Sequence, residues 1–321
     1  VTTSDTSATS VISTTTSAAA LRLGVDLGGT KIAAVVLDGR GAEVWRTRQA
    51  TPRGDYDATL DAIAGIVAEA EGATGATVTV GVGIPGAPSR VTGLIKNANS
   101  TWLNGRPLED DLARRLGRPV RLANDANCLV VSEAADGAAA GAGVVFGVIL
   151  GTGTGGGLVV HGQLVEGRNA IGGEWGHNPL PWPQPHETPG PACYCGRHGC
   201  IETWLSGPAL ARDHHTHTGQ VLSGEAIVAA ASVGDAGALE SLDRWYERAA
   251  RALATVINVV DPDVIVVGGG LSRIAGLYTA VPQRWNTWVF SDVVGTRLVA
   301  AQHGDASGVR GAAWLWPGYN R

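Results

Sequence analysis

The stretch Gly24-Val25-Asp26-Leu27-Gly28-Gly29-Thr30-Lys31, followed by Ile32 to Gly39, aligns without a gap on Gly147-Val148-Ile149-Leu150-Gly151-Thr152-Gly153-Thr154, followed by Gly155 to Gly162. In each copy an apolar strand enters a Gly/Thr turn. A second apolar strand leaves it (Ala33 to Leu37; Leu158 to Val160), and a turn pair closes the unit (Asp38-Gly39; His161-Gly162). Self-similarity of this kind predicts two related halves, each opening with a glycine-tipped β-hairpin. A tip with several glycines presents bare backbone N–H groups and lets a bulky anion approach the main chain, so two such tips suit one polyphosphate. Either loop alone is a weak signal; their duplication in register strengthens it.

Around the hairpins, strand and helix patterns alternate. Tyr56 to Ala70 carries Leu60, Ile63, Val67 and Ala70 at helical spacing, and Val78 to Ile84 reads as a strand. Pro107 opens a helix with Leu108, Leu112 and Leu116 on one face. Val120 to Ala123 is a strand and Ala126 to Ala135 a helix; Trp245 to Val260 is a long helix leading to the strand Val264 to Val267 and Gly268-Gly269-Gly270, where a ligand meets strand ends. This is a two-lobed α/β pattern, and 321 residues suffice for one large domain or two ordinary ones.

Composition removes several alternatives. The 46 glycines lie in short runs without a collagen-like period. With 29 acidic against 24 basic residues and a net charge of −5, no basic footprint for nucleic acid is present. Gly137 to Val160 is uncharged and long enough to span a bilayer, but nine of its residues are glycines, so a strand, turn and strand is expected there instead of a membrane helix. Residues 1–20, mostly Ser, Thr and Ala, lack the charged start and apolar core of a secretory signal and read as a disordered tail. A cytoplasmic protein without membrane partners is expected.

Cys193, Cys195 and Cys200 follow His177 at a spacing that suits a closed Cys₃His zinc site of structural type. The competing reading is a disulfide plus a spare thiol, which a reduced compartment and the strained Cys-x-Cys pair both disfavour. Cys128 stands alone in an apolar helix and reads as a small buried side chain. Asp125 falls where a strand ends and a helix begins, and two readings stand side by side: a helix N-cap, or a general base accepting a proton from a sugar hydroxyl that attacks a phosphoryl group. Glu174 and Glu202, flanking the Cys/His ligands, suit either support of the metal or paired sugar hydroxyls.

Taken in order, Asp26-Leu-Gly-Gly-Thr-Lys31, Gly83-Ile-Pro-Gly86, Asn124-Asp125, Gly151-Thr-Gly-Thr-Gly155, Glu174-Trp-Gly-His177, the three-cysteine knuckle, Glu202 and Gly268-Gly-Gly-Leu-Ser272 resemble the ROK family of sugar kinases over nearly the whole chain after residue 20. The resemblance implies the actin-like, duplicated ribonuclease-H-like ATPase fold, with ATP and a sugar between two lobes. It implies a small lobe of residues 21–122 completed by a C-terminal helix 308–321, and a large lobe of 123–307 carrying the zinc knuckle 177–200. It makes Asp125 the catalytic base and places Asp26 near Mg²⁺. Gly28, Gly29, Thr30, Lys31, Gly151, Thr152, Gly153, Thr154 and Gly155 become the phosphate loops, with Gly268, Gly269 and Gly270 near the adenosine. Asn99, Asn124, Glu174, His177 and Glu202 become the sugar set, with one His177 nitrogen on zinc and the other on a sugar hydroxyl.

A homodimer is the family expectation. Lys96 to Gly105, Glu174 to Trp182 and Arg310 to Pro317 look most like the family's fructokinases, so D-fructose is the expected acceptor. Glucokinase, mannokinase and N-acetylhexosamine kinase are the alternatives. The glycine loops see phosphates alone, which leaves ATP and inorganic polyphosphate both open as donor. A non-catalytic sugar-sensing regulator is the reading from another class. The twenty residues before the first strand do not supply a helix-turn-helix, and the catalytic motifs are intact.

Overall fold

Two β-hairpins begin the two halves of the chain, as the repeat requires. The computed structural model describes residues 21–316; residues 1–20, read above as a tail, and 317–321, read above as the end of a helix, lie outside them. In the first half, β1 (Arg22–Leu27) and β2 (Lys31–Leu37) pair with Leu27 opposite Ile32, and β3 (Glu43–Ala50) adds an antiparallel edge. Then come α1 (Tyr56–Thr74), β4 (Thr79–Ile84), the small hairpin β5 (Ala87–Pro88) and β6 (Ile95–Lys96), α2 (Leu108–Leu116), β7 (Val120–Asn124) and α3 (Asp125–Asp136). In the second half, β8 (Val144–Leu150) and β9 (Thr154–Val160) pair with Leu150 opposite Thr154, and β10 (Gln163–Leu164) takes the edge. After the knuckle come α4 (Glu202–Leu205), α5 (Gly207–Thr218), α6 (Gly224–Ser232), α7 (Ala236–Val260), β11 (Val264–Gly268), α8 (Leu277–Trp288), β12 (Arg297–Ala300) and α9 (Ser307–Ala313).

The strand order is β3-β2-β1-β4-β7 in one sheet and β10-β9-β8-β11-β12 in the other, an antiparallel hairpin followed by parallel strands in both. The duplication seen in sixteen residues therefore extends to whole sheets. Each sheet has its own core: Val25, Ile63, Val82 and Leu112 pack around the first, and Val148, Trp245, Leu253 and Trp285 around the second. The parallel strands β4 and β11 are buried at nearly every position, which is why they read as continuous apolar runs.

The helices that follow the last strand of each sheet cross over. Helix α3 leaves β7 of the first sheet and packs on β8 and β9 of the second; α9 leaves β12 of the second and packs on β1 and β4 of the first; and the two helices pack on each other. That crossing explains two repeated glycines. A Cβ on Gly24 would overlap the Val309 carbonyl of α9, and one on Gly147 would stand 2.6 Å from Val130 Cβ of α3. Close backbone approach, and not only turn geometry, selects glycine here.

Three boundaries differ from expectation. Strand β9 starts at Thr154, four residues before the apolar run, because Gly156 lies extended beneath Trp175 and Gly157 beneath Asn127 and Val130; glycine there fits a crowded strand and is not a turn signal. Helix α7 begins at Ala236, capped by the Asp235 side chain accepting from Ala238 N–H, well before Trp245. Helix α9 runs only to Ala313, with Trp314 closing it, in place of a described helix continuing from 308 toward 321. No described helix is long and apolar enough to cross a membrane.

Candidate active site

Between the sheets, the end of β7 delivers Asn124 and Asp125 to the first turn of α3. The two possible roles of Asp125 separate cleanly. Asn124 is the N-cap: its side-chain oxygen accepts from Asn127 N–H at 2.7 Å. Asp125 is left as the first helical residue, its Oδ1 accepting from Ala126 N–H at 2.8 Å and its carboxylate open to the cleft. The cleft walls crowd it, so desolvation raises its pKa above the ordinary carboxylate value while the Ala126 bond pulls the other way. A carboxylate with a raised pKa and an open face is suited to general-base work.

Asp26, at the end of β1, shares this field. Desolvation first and the charge of Asp125 second push it up to about 6, with Lys31 and Arg48 opposing. The sign for stability follows. A carboxyl at about 6 in the folded chain and near 3.8 when unfolded holds its proton more tightly in the native state. Its penalty is therefore absent below the unfolded value and complete above the folded one. Asp26→Asn is expected to stabilise the sugar- and nucleotide-free protein on the order of 2 kcal/mol at pH 7.5 and hardly at all at pH 4. Urea midpoints at the two pH values check this, and an equal shift at both would contradict it.

Glu174 stands at the N-cap position of the 3₁₀ turn Trp175–His177, makes no side-chain capping bond there, and is exposed. Burial by the cleft walls raises its pKa most, His177 lowers it, and Asp125 and Glu202 raise it, so these four groups occupy one electrostatic neighbourhood. Glu202 at the start of α4 has a second attachment: its Oε2 accepts from Thr154 N–H at 2.9 Å, tying the knuckle to the second glycine tip. Thr154 is therefore buried with its amide already used, and its N–H supports that loop without being a free donor to a ligand. Asn99 is exposed on the turn after β6. Its neighbour Ser100 lies 3.4 Å from where a Cβ on Gly29 would stand, which sets this turn against the first glycine tip.

The tips themselves are pinned from behind. Gly28 O accepts from Thr51 Oγ1 at 2.7 Å, and Thr30 O accepts from Thr51 N–H at 3.1 Å; Gly151 O accepts from Gly207 N–H at 2.8 Å. Lys31 and Thr152 are exposed beside them. A cavity of about 390 Å³ is lined by Gly151, Thr152, Gly270 and Leu271, joined by Gly207, Pro208 and Ala211 of α5 and Ser223, Gly224 and Glu225 at α6. The triple glycine thus divides in function. Gly268 is buried under Leu129, where a Cβ would overlap Leu129 Cδ1, so its place is packing and not ligand contact. Gly269 turns the chain at φ 84° against the Leu150 carbonyl, and Gly270 reaches the cavity.

The α5 and α6 contribution was missed in the sequence. Its readable signal is the recurring Ser-Gly pair, in which Ser206 and Ser223 cap helices by accepting from Ala209 and Ala226 N–H. Both helix starts face the cavity, so their positive ends favour an anionic ligand there. A larger cavity, about 610 Å³, lies between the sheets and takes Asn124 and Glu174 into its wall with Ala87, Pro88, Leu122 and Ile171. At its edge Arg90 of the β5–β6 hairpin forms an ion pair with Glu166, which follows β10.

His177, Cys193, Cys195 and Cys200 converge as the spacing implied, with one ligand atom from each lying within 4.8 Å of the others. Sγ of Cys195 and Cys200 are 3.6 Å apart, as are Cys193 Sγ and His177 Nδ1. Those separations match the edges of a tetrahedron, roughly 3.5–3.8 Å, that Zn²⁺ defines with sulfur at about 2.3 Å and nitrogen at about 2.0 Å. All four cysteines are free thiols. Burial, then the neighbouring sulfurs, pushes the Cys200 thiol up to about 12, a penalty on thiolate that a divalent cation in their midst reverses. The residues fit zinc. Cys128 is fully buried in α3, as expected.

Comparison with known proteins agrees with this geometry. The ROK family model matches residues 22–318. N-acetyl-D-glucosamine kinase of Escherichia coli O127:H6 is 42% identical over 296 residues, covering 91% of this chain and 98% of that one. The ROK hexokinase of Thermus thermophilus superposes with a TM-score of 0.82 at 31% identity, covering 92% and 97% of the two chains. A ROK glucokinase from Streptomyces griseus, solved with glucose and AMPPNP, gives 0.72 at 32% identity over 92% and 98%. With paired glycine tips, a cleft carboxylate and a Cys₃His knuckle in one neighbourhood, the chain belongs to the ROK family and is a sugar kinase.

Proposed function

We propose that the chain transfers the γ-phosphoryl group of ATP to the 6-hydroxyl of N-acetyl-D-glucosamine. Similarity over nearly the full length of an N-acetyl-D-glucosamine kinase carries the choice of acceptor, and it displaces D-fructose, which the tryptophan-containing segments had suggested.

In this reading Asp125 takes the proton of the 6-hydroxyl as that oxygen bonds to the γ-phosphorus and the bond to the ADP oxygen breaks. The N–H groups of the two glycine tips receive the phosphates, and the cavity at α5 and α6 receives the adenosine. Asp26 would hold Mg²⁺: burial and the charge of Asp125 raise its pKa, a penalty on the carboxylate that a bound cation relieves. That ion neutralises phosphate charge when bound. His177 and the three cysteines would hold zinc, which would fix the ring and tautomer of His177; its Nε2 then meets a sugar hydroxyl alongside Glu174 and Glu202.

The test is an ADP-release assay with Mg-ATP over N-acetylglucosamine, N-acetylmannosamine, glucose, mannose and fructose. N-acetylglucosamine is expected to lead in kcat/KM by about tenfold or more, within what one pocket contact discriminates. A lead by fructose or glucose would reject the acceptor and leave the kinase chemistry standing.

A further inference from the structure

His177 has two ring nitrogens, and both are engaged. Nδ1 faces the sulfur cluster, 3.6 Å from Cys193 Sγ. Nε2 lies 2.9 Å from the hydroxyl of Tyr194, whose ring meets the imidazole edge-on at 5.1 Å and 87°. With Nδ1 turned to a metal, the ring hydrogen is on Nε2, so His177 donates and the phenol oxygen accepts. That is the same N–H that the proposed function assigns to a sugar hydroxyl. It holds one hydrogen, and two oxygens cannot both take it at full strength.

Tyr194 is poorly fastened apart from this bond. The residue is 81% exposed, although it sits between two metal ligands in a tight loop where Cys193 N–H donates to Arg197 O and Gly196 N–H to Cys193 O. The backbone of this loop is held, while the side chain lies largely in solvent and touches His177 through its hydroxyl and ring edge.

We propose that Tyr194 is a displaceable stand-in for substrate. Its hydroxyl satisfies and aims His177 Nε2 when no sugar is present, and the incoming sugar hydroxyl replaces it, so Tyr194 sets sugar affinity by competition. The inference rests on the sugar contact assigned to His177 above.

Tyr194→Phe removes the competing oxygen and keeps the ring. Calorimetric titration with N-acetylglucosamine is expected to show a Kd about three- to tenfold lower than wild type, the range that loss of one neutral hydrogen bond from the free state produces. Tyr194→Leu is expected to move it in the same direction. A Kd that rises in both variants would make the phenol a direct sugar contact and overturn the proposal, as would no change in either. Nitrogen-15 histidine spectra separate this from the underlying reading. The His177 Nε2 resonance is expected to shift in Tyr194→Phe and, in wild type, on adding sugar. A resonance that sugar leaves in place rejects the His177 contact itself; one that sugar moves and Tyr194→Phe does not rejects only the competition. If another hexose proves the better substrate, the same titrations with that hexose decide the role of Tyr194.

Discussion

Asp125→Asn is expected to lower kcat by at least about 10²-fold while sugar binding stays within a few-fold of wild type. The asymmetry follows from the position of the residue. Asp125 is not the cap of α3, because Asn124 performs that task through Asn127 N–H, so the amide neither unseats the helix nor exposes its N-terminus. An asparagine oxygen also accepts from Ala126 N–H as the carboxylate does. What disappears is proton affinity at the one point where the acceptor hydroxyl must lose its hydrogen. Single-turnover rates and a separate calorimetric Kd distinguish these terms, and near-wild-type turnover would remove Asp125 from its role.

The pH profile carries the same information. Desolvation holds the Asp125 pKa above the ordinary value, and Asp26, at about 6, adds charge beside it as the pH rises. Activity should fall on the acid side at a pH above that of a free carboxylate, and this limb should be missing from the residual activity of Asp125→Asn.

Cys195→Ser is the second large effect. One zinc per chain is expected in freshly purified wild type by elemental analysis and close to none in the variant, because hydroxyl oxygen is a poor replacement for thiolate in a four-ligand structural site. The consequence for catalysis is indirect and still severe. Cys200 leads directly into Glu202, and Glu202 Oε2 holds Thr154 N–H at the second glycine tip. In the proposed reaction, loss of the knuckle therefore frees His177 on the sugar side and loosens the second glycine tip on the donor side. A fall in kcat/KM of about 10²-fold or more is expected for both sugar and ATP. A metal-free protein of normal activity would show that the thiols alone hold this segment.

Several of these features are visible in the bare chain. The hairpin repeat, the Cys/His spacing and the strand-end position of Asn124-Asp125 depend on neighbours a few residues apart, and local geometry converts such spacings directly into turns, ligands and strand ends. Other features are not. Which of Asn124 and Asp125 caps α3 depends on a side-chain angle, and the sequence offers both. Gly268, Gly269 and Gly270 look alike in a line, yet Leu129 from α3 buries the first and Leu150 crowds the second, leaving only the third at the cavity. The α5 and α6 walls were absent from the sequence reading because their cavity residues, Pro208, Ala211 and Glu225, become neighbours of Thr152 only after the second sheet and its helices pack.

The sequence by itself determined the duplicated α/β plan, the two glycine tips, the Cys₃His site and the kinship to ROK kinases, since each is written in contiguous motifs whose chemistry needs no partner from afar. Only the tertiary structure decided that Asn124 and not Asp125 caps α3, that Glu202 joins the knuckle to the second glycine tip, and that Tyr194 occupies the outer nitrogen of His177. Each of these depends on groups that meet through folding, and a linear pattern carries no record of the angle at which two side chains meet.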